Sequence, residues 1–309
     1  MTTEIAEPAV LKPAKSGLTT ALGGASSAMK DTIRALAEML MKRAQAGGGL
    51  VGISTGFTDL DVILSGLVDG DLTILAARTS MGKTALALAI AGNVALRSRK
   101  PVLIASLEMS AVQLAMRLVA GLARVDLKRL RTGQLNEMEW ASVYNALITL
   151  SQAPIRIENA AARTPRGLRD VAIGMREDEA PALIVVDYLQ LMSVDDRRDS
   201  REQEVATISR SMKELAMELQ VPVLALSQLN RSLEQRSDKR PMLSDLRESG
   251  AIEQDADNVL FIYRDDVYNR ESTQAGLAEI IVAKQRMGPV GTIMLGFEGR
   301  YTAFENIAA

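Results

Sequence analysis

A glycine-lysine-threonine turn between two apolar segments carries the most chemical information in this sequence. The octapeptide ARTSMGKT, residues 77–84, follows a run that predicts a strand and precedes a pattern that predicts a helix. In that setting backbone amides cradle phosphate groups, Lys83 reaches the outer phosphates, and the Thr84 hydroxyl is suited to bind Mg²⁺. The general motif has glycine where Ala77 stands. The sequence therefore predicts a phosphate site formed by Ser80, Met81, Gly82, Lys83, Thr84 and Ala85.

Three further polar side chains follow apolar runs that predict strands. Glu108 comes after 102–106, Asp187 after 183–186, and Gln228 after 223–226. Because an open α/β sheet binds ligands at the carboxyl ends of its strands, we expect these side chains near the phosphate loop. Asp187 is suited to a Mg²⁺-bound water, Glu108 to polarising an attacking water, and Gln228 to sensing the terminal phosphate. Each also has a structural interpretation: core for Asp187, a helix N-terminus for Glu108, and a plain polar strand end for Gln228.

Two cations near the C-terminus stand on a predicted strand. Lys284 and Arg286 are two residues apart, so their side chains project from the same face. One interpretation is that both charges are simply solvated. The other is that they contact a nucleotide as an arginine finger does, and that nucleotide is bound either by the same chain or by an adjacent subunit.

The composition excludes several other kinds of chemistry. The 309 residues include no histidine and no cysteine, which rules out imidazole bases, thiol nucleophiles, disulfides and the usual zinc, haem and iron–sulfur ligands. Aromatic residues make up 3%, which argues against a base-stacking surface. The net charge is −2, so binding to nucleic acid needs locally placed cations or backbone amides. We find no membrane span and no targeting segment, and we expect a cytoplasmic protein.

The pattern along the chain predicts three regions. Residues 1–27 read as a flexible arm, residues 28–49 as an amphipathic helix with a glycine hinge, and residues 50–309 as one large α/β domain. The helix packs either on its own domain or on a neighbouring subunit. In the large domain, apolar runs at 72–76, 102–106, 155–157, 183–186 and 223–226 alternate with helical patterns, which predicts a mainly parallel sheet. Three later runs, 259–263, 279–283 and 292–297, predict an antiparallel extension.

Seven segments of the sequence, in order, resemble the C-terminal motor domain of the DnaB-type replicative helicases, a RecA-like P-loop family. The resemblance runs over residues 53–306. The segments are TGFTDLD (55–61), AARTSMGKT (76–84), SLEMS (106–110), VDYLQLM (186–192), SQLNR (227–231), KRPMLSDLRESG (239–250) and AKQRMGP (283–289). Alanine at the first loop position is usual in that family, whereas Thr79 stands where proline is common.

The resemblance implies an ATP-dependent, ring-forming helicase that moves 5′→3′ on single-stranded DNA as a homo-oligomer, expected to be a hexamer. It implies that Lys83 and Thr84 bind ATP and Mg²⁺, with Glu108 as the catalytic carboxylate, Asp187 the metal-associated one and Gln228 the γ-phosphate sensor. Lys284 and Arg286 match residues that act on the neighbouring subunit's nucleotide. The implied DNA-binding residues are Arg231, Arg247, Glu248 and Gly250. The helix at 28–45 matches the family's linker helix, which favours docking on a neighbouring subunit.

The sequence also departs from the family. Residues 1–27 stand where the family has a globular collar domain that contacts primase, so we do not expect primase recruitment by that route; a loader or primase remains a candidate partner. The alternative function is a RecA-like ATPase that serves as a loader, regulator or recombination accessory without unwinding. A non-catalytic scaffold is disfavoured because Lys83, Glu108 and Asp187 are all present.

Overall fold

The computed structural model describes residues 27–45, 49–175, 180–194 and 200–307, with only the backbone at 27–28, 42, 45 and 247–249. The chain divides into two units, Met1–Gly49 and Leu50–Ala309. The described part of the first unit is helix α1 (Ser27–Gln45). Residues 1–26 of the predicted arm, which was expected to end at residue 27, lie outside the described residues. So do residues 46–48, which include two of the three glycines of the predicted hinge.

The second unit alternates strands and helices, as the apolar pattern predicts. Its helices are α2 (Thr58–Leu64), α3 (Lys83–Leu96), α4 (Ala111–Ala123), α5 (Leu127–Thr132), α6 (Glu137–Ser151), α7 (Pro165–Ile173), α8 (Arg201–Leu219), α9 (Gly250–Asp255) and α10 (Asp265–Tyr268). Its strands are β1 (Leu72–Ala77), β2 (Val102–Ser106), β3 (Ile155–Glu158), β4 (Leu183–Asp187), β5 (Val223–Gln228), β6 (Asn258–Tyr263), β7 (Leu277–Gln285), β8 (Gly291–Glu298) and β9 (Ala303–Asn306). In the described part, no helix is long and apolar enough to cross a membrane.

The nine strands found in the described residues join one sheet in the order β3-β2-β4-β5-β1-β6-β7-β8-β9. The pairs from β3 through β6 are parallel, and those from β6 through β9 are antiparallel. The predicted α/β fold, with a mainly parallel sheet and antiparallel C-terminal strands, is therefore confirmed. The parallel order brings the carboxyl ends of β2, β4, β5 and β1 to one edge.

Hydrophobic layers cover both faces of the parallel strands. Alternate strand residues point to opposite faces: Ile104 packs in the layer that contains α3, and Leu103 in the layer that contains Met212 of α8. Strands β1, β2 and β4 are buried along their whole length. Burial on both faces explains why these strands are continuous apolar runs rather than alternating ones.

The apolar run at 259–263, which was predicted to belong to the antiparallel extension, instead forms a strand that pairs in parallel on one of its edges. Strand β6 pairs in parallel with β1, with Ile74 opposite Val259, and only its other edge is antiparallel, to β7. The chain returns to the start of β6 through a 3₁₀ segment at Leu243–Ser249 and the short helix α9. These short turns carry no long helical periodicity, so the crossover was not visible in the sequence. Strand β9 was also missed.

Candidate nucleotide-binding site

The phosphate loop connects β1 to α3 at the carboxyl edge of the sheet. Gly82 has φ 100°, and a Cβ atom there would lie 3.0 Å from the Phe304 ring, so both backbone and packing require glycine. Among the described residues, no side chain caps the N-terminus of α3. The amides of its first turn are therefore the natural donors to an anion, and the helix dipole favours negative charge there.

Lys83 and Thr84 begin α3 and face the end of β4. The Thr84 hydroxyl donates to Asp187 Oδ2 at 2.9 Å, and Lys83 Nζ lies 4.6 Å from the centre of the Tyr188 ring. Burial lowers the pKa of Lys83, while the charges of Asp187 and Glu108 act in the opposite direction. Burial likewise raises the pKa of Asp187, against the Thr84 hydrogen bond and the Lys83 charge. A bound phosphate would favour the protonated form of Lys83.

The pair of Thr84 and Asp187 also fits a magnesium ion. Asp187 Oδ1 is buried and has no hydrogen-bond partner among the described residues, so one carboxylate oxygen is available as a ligand. The described residues contain no group of three or more acidic side chains that would enclose a metal. Mg²⁺ needs only one or two protein ligands when substrate phosphates and waters fill its remaining coordination positions.

Glu108 follows β2 on a loop that two polar side chains hold in place. Ser106 Oγ donates to the Met109 carbonyl at 2.8 Å, and Asn159 Nδ2 donates to the Ser106 and Met109 carbonyls, each at 2.8 Å. The first turn of α4 has its own capping box, formed by Ser110 and Gln113. The Glu108 side chain is therefore not needed as a helix cap, and it lines the same cleft as Lys83 and Thr84.

That cleft has a volume of about 360 Å³, within the range of small-molecule sites. Its wall includes Arg117 of α4, whose charge acts to lower the pKa of Asp187. Neither Arg117 nor Asn159 was predicted from the sequence. Asn159 follows β3, and a polar residue just after a strand was the available signal; the position of Arg117 inside a helix gave none.

Gln228 ends β5 beside the phosphate loop. Its Nε2 donates to the Thr79 hydroxyl at 3.2 Å, and its backbone N–H donates to Gln190 Oε1 at 3.4 Å. Gln190 also donates to Ser227 Oγ at 2.9 Å. The threonine that stands where proline is common thus contributes a hydroxyl that contacts the predicted sensor side chain. The structure therefore brings Lys83, Thr84, Glu108, Asp187 and Gln228 to one edge, as the sequence predicts.

The structure does not bring Lys284 and Arg286 to this site. Lys284 pairs with Val259 near the amino end of β6, and the Arg286 N–H donates to the Asp257 carbonyl just before that strand. Val259 lies opposite Ile74, three residues before the end of β1, which is about 10 Å along the strand. The two cations therefore lie at the opposite end of the sheet from their own phosphate loop. The alternative in which they act within the chain is thereby disfavoured.

Of the residues implied in DNA binding, Arg231 lines a second cleft, of about 680 Å³, together with Gln228. Arg231 begins a 3₁₀ turn after β5, and the Asn230 N–H donates to the Asp245 carbonyl at 3.2 Å in the segment Leu243–Ser249. Gly250 begins α9 immediately after that segment. The side chains of Arg247 and Glu248 lie outside the described part of the structure.

Arg78 joins the two clefts. It belongs to the phosphate loop and is buried, and its Nε donates to Glu234 Oε1 at 2.8 Å while its Nη1 donates to the Leu229 carbonyl at 2.9 Å. Both acceptors lie on the segment that follows β5 and carries Arg231. Two hydrogen bonds therefore connect the phosphate loop directly to this segment.

A mainly parallel sheet whose first strand leads through a Gly-Lys-Thr loop into a helix defines a P-loop fold of the RecA-like class. The crystal structure of the RadB recombinase shares this fold at 18% identity, with a TM-score of 0.53 over 83% of this chain and all of that one. The chain belongs to the DnaB-like helicase C-terminal domain family, whose model matches residues 52–306.

Similar proteins support this assignment in sequence and in structure. The replicative DNA helicase DnaB of Haemophilus influenzae is 51% identical over 272 residues, 87% of this chain and 58% of the relative. That of Geobacillus stearothermophilus is 50% identical over 271 residues, 87% of this chain and 59% of the relative. One solved ATPase domain is 38% identical with a TM-score of 0.84, covering 89% of this chain and 98% of that one. The chain thus spans a little over half the length of these two helicases.

Proposed function

We propose that this chain is an ATP-driven motor that moves along single-stranded DNA as a ring of identical subunits and separates duplex DNA. The observation that carries the proposal is the convergence of Lys83, Thr84, Glu108, Asp187 and Gln228 at one sheet edge in a member of a helicase family. The related DnaB proteins are replicative DNA helicases.

The chemistry that fits this site is hydrolysis of the γ-phosphate of ATP. Water attacks the γ-phosphorus, the bond to the β,γ-bridging oxygen breaks, and the products are ADP and phosphate. Glu108 is positioned to orient that water and accept its proton, and Gln228 to contact the γ-phosphate. Lys83 and the loop amides neutralise the phosphate oxygens. Thr84 and Asp187 would hold Mg²⁺, which when bound offsets charge on the β- and γ-oxygens.

In the proposed ring, the site receives charge from the adjacent subunit. Lys284 and Arg286 lie at the end of the sheet opposite their own phosphate loop, so a head-to-tail arrangement would present them to the next subunit's nucleotide. Such a cation in trans typically accelerates phosphoryl transfer by about 10³–10⁵-fold. The proposal thus makes hydrolysis dependent on assembly.

Two exposed apolar surfaces support assembly. Helix α1 exposes Met29, Leu36 and Leu40, and helix α6 exposes Trp140 (45%) and Tyr144 (64%). Large apolar side chains in such sets mark interaction surfaces. We place α1 against a neighbouring subunit, as the linker helix of the family would lie, in a ring of six.

DNA binding in this proposal uses the segments that border the larger cleft. Arg231, Arg247, Glu248 and Gly250 would line a central channel, where six copies of a small loop contact the sugar–phosphate backbone without reading bases. This arrangement reconciles DNA binding with a net charge of −2. Affinity for single strands should fall as salt rises, because phosphate contacts release counterions.

Direction and partners extend the proposal. Movement is 5′→3′, and the place of action is the cytoplasm. One solved DnaB-like replicative helicase, 38% identical with a TM-score of 0.83 over 89% of this chain and 66% of that one, is described with its interactions with primase. Primase is therefore a candidate partner, and a helicase loader is the other candidate that the family resemblance implies.

A forked-duplex unwinding assay with ATP, combined with native mass spectrometry of the same sample, tests the proposal. The expected result is ATP-dependent strand separation by an assembly of six subunits, faster on forks with a free 5′ single-stranded arm. ATP hydrolysis without strand separation would instead support the loader or regulator function. A monomeric species that hydrolyses ATP at full rate would contradict assembly-dependent catalysis.

A further inference from the structure

A buried carboxylate lies beside Arg286, far from the phosphate loop of its own chain. Asp257 stands between α9 and β6, and its residue is only 5% exposed. Its Oδ2 accepts hydrogen bonds from Lys213 Nζ at 2.6 Å and from the Leu72 N–H at 2.8 Å. Its Oδ1 lies 3.5 Å from Arg286 Nη1. One side chain thus joins helix α8, the start of β1 and the cation at the end of β7.

The backbone of Asp257 makes the same connections. Its N–H donates to the Leu72 carbonyl at 2.9 Å, and its carbonyl accepts from the Arg286 N–H at 2.9 Å. Asp257 is therefore fixed relative to the strand that carries the phosphate loop and to the strand that carries the cations. Its carboxylate has a defined position from which to direct the Arg286 side chain.

The two cations themselves contact the end of α9. Lys284 Nζ donates to the Glu253 carbonyl at 2.5 Å and to the Ala256 carbonyl at 2.7 Å, while Arg286 Nη2 donates to the Gln254 carbonyl at 2.7 Å. Even with these contacts the Arg286 side chain is 48% exposed. Its guanidinium is held along one edge, and the rest of the side chain is accessible to another molecule.

The Asp257 carboxylate contacts two cations, Lys213 with one oxygen and Arg286 with the other, and this arrangement determines how firmly Arg286 is held. Lys213 Nζ donates to one carboxylate oxygen of Asp257 at 2.6 Å and to the Gly70 carbonyl at 2.8 Å, so Lys213 rather than Arg286 makes the closer ion pair with the buried carboxylate. Arg286 is then directed by a longer ion pair and remains able to contact a phosphate. The half-buried Asp71 faces the same cluster, and its pKa is raised by burial and by the charge of Asp257, against the charges of Lys213 and Arg286.

We propose that Asp257, held by Lys213, is a positioning residue that directs Arg286 toward the nucleotide of the adjacent subunit. This inference rests on the proposed function, because Arg286 acts in trans only in an assembled ring. Asp257 touches no nucleotide in this arrangement. It affects hydrolysis at the neighbouring site through the direction of the guanidinium.

The experiment measures trapping of ADP with aluminium fluoride and Mg²⁺, an analogue of the transition state, in the assembled protein. Asp257→Asn should bind ADP within about twofold of the unchanged protein but trap the analogue at least about tenfold less, because small misplacements of catalytic groups cost up to about 100-fold. Lys213→Met, at a side chain that is one-fifth exposed, is the second variant and should show the same selective loss.

Mixed assemblies separate a positioning defect from a structural one. Lys83→Ala subunits bind no nucleotide but keep an intact Arg286, whereas Asp257→Asn subunits keep an intact nucleotide site. In an equimolar random ring, about one interface in four joins an Asp257→Asn nucleotide site to the Arg286 of a Lys83→Ala subunit, and trapping should return at those interfaces. An equimolar mixture of Lys83→Ala and Arg286→Ala subunits is the reference, because it shows how much trapping returns when only the Arg286 side chain is missing. Glu218→Gln, which weakens the Arg169–Glu218 pair at the surface of α8, is the matched control and should trap normally.

The outcomes are distinct. If the Arg286→Ala mixture does not regain trapping, the trans role in the proposed function is wrong, and the inference falls with it. A different result would overturn only the inference. In that result the Arg286→Ala mixture regains trapping, but Asp257→Asn and Lys213→Met either trap normally or lose trapping that Lys83→Ala subunits do not restore. Asp257 is then not a positioning residue, and the proposed function stands. Selective loss that is complemented by Lys83→Ala supports the inference.

Discussion

Thr84 and Asp187 are joined by a hydrogen bond of 2.9 Å, although 103 residues separate them in the sequence. The contact brings the first turn of α3 against the end of β4 and orients a buried carboxylate whose second oxygen has no partner among the described residues. The phosphate loop and the candidate metal ligand therefore form one unit. Its parts can be tested separately.

Asp187→Asn should abolish magnesium-dependent turnover while leaving the nucleotide-free protein folded. Removing the carboxylate should lower ATP hydrolysis at least about 100-fold, because metal ions contribute several kcal/mol to phosphoryl transfer. Burial raises the pKa of Asp187, so its charged form costs folding free energy, and a neutral amide of the same size should leave the nucleotide-free protein folded. The measurements are hydrolysis during a Mg²⁺ titration and thermal unfolding without metal. Unchanged hydrolysis at saturating Mg²⁺ would refute the assignment.

Lys83→Ala should eliminate nucleotide binding and, with it, ATP hydrolysis. The side chain is partly buried in the wall of the cleft beside the loop amides, and its amine is placed to contact the outer phosphates. Binding of a fluorescent ATP analogue measures the effect directly. Lys100→Ala, at an exposed position between α3 and β2, is the matched control and should bind as the unchanged protein does. Retained turnover by Lys83→Ala would remove the phosphate-loop assignment.

Glu108→Gln should separate binding from chemistry. The amide keeps the size of the side chain but accepts no proton from water, so turnover should fall by about 10²–10⁴-fold while ATP affinity changes little. A single-turnover assay with ATP in excess of its dissociation constant gives the rate of the chemical step. A near-normal rate would assign Glu108 to a structural role.

Asn159→Ala should reduce turnover although Asn159 lies outside the predicted site. Its side chain satisfies the Ser106 and Met109 carbonyls, and losing those hydrogen bonds releases the loop that holds Glu108 at a cost of about 1–3 kcal/mol. We expect kcat to fall about tenfold with a smaller change in KM. Asn136→Ala, which removes the N-cap of α6, should cost comparable stability without lowering kcat. Equal kcat losses in both variants would indicate a general stability effect.

Tyr144→Glu should weaken assembly if the exposed face of α6 is an interface. A charge in a buried apolar contact is strongly unfavourable, so native mass spectrometry should show smaller species at concentrations where the unchanged protein is assembled. Removing residues 1–45 should have a similar effect. Met217→Glu, on an equally exposed position of α8, is the control. An unchanged assembly in both the Tyr144→Glu and truncated proteins would place the interface elsewhere.

Much of the fold could be predicted because burial on both faces leaves a direct trace in the sequence. Strand β2 was predicted to the residue, since a strand that is buried on both faces appears in the sequence as a continuous apolar run. The crossover into β6 was not visible. It consists of a 3₁₀ segment and one short helix, which carry no long periodic pattern.

The sequence by itself determined the phosphate loop, the parallel core and the residue types available for catalysis, because local spacing and composition encode them. Without histidine or cysteine, only carboxylates, amides, hydroxyls and cations remain, and phosphoryl transfer needs no more. The tertiary structure alone decided which residues meet. Asn159 supports the Glu108 loop, Thr79 contacts Gln228, and Asp257 contacts Arg286, through strand order and register that bring distant segments together. Such contacts depend on the whole sheet, so no local pattern records them.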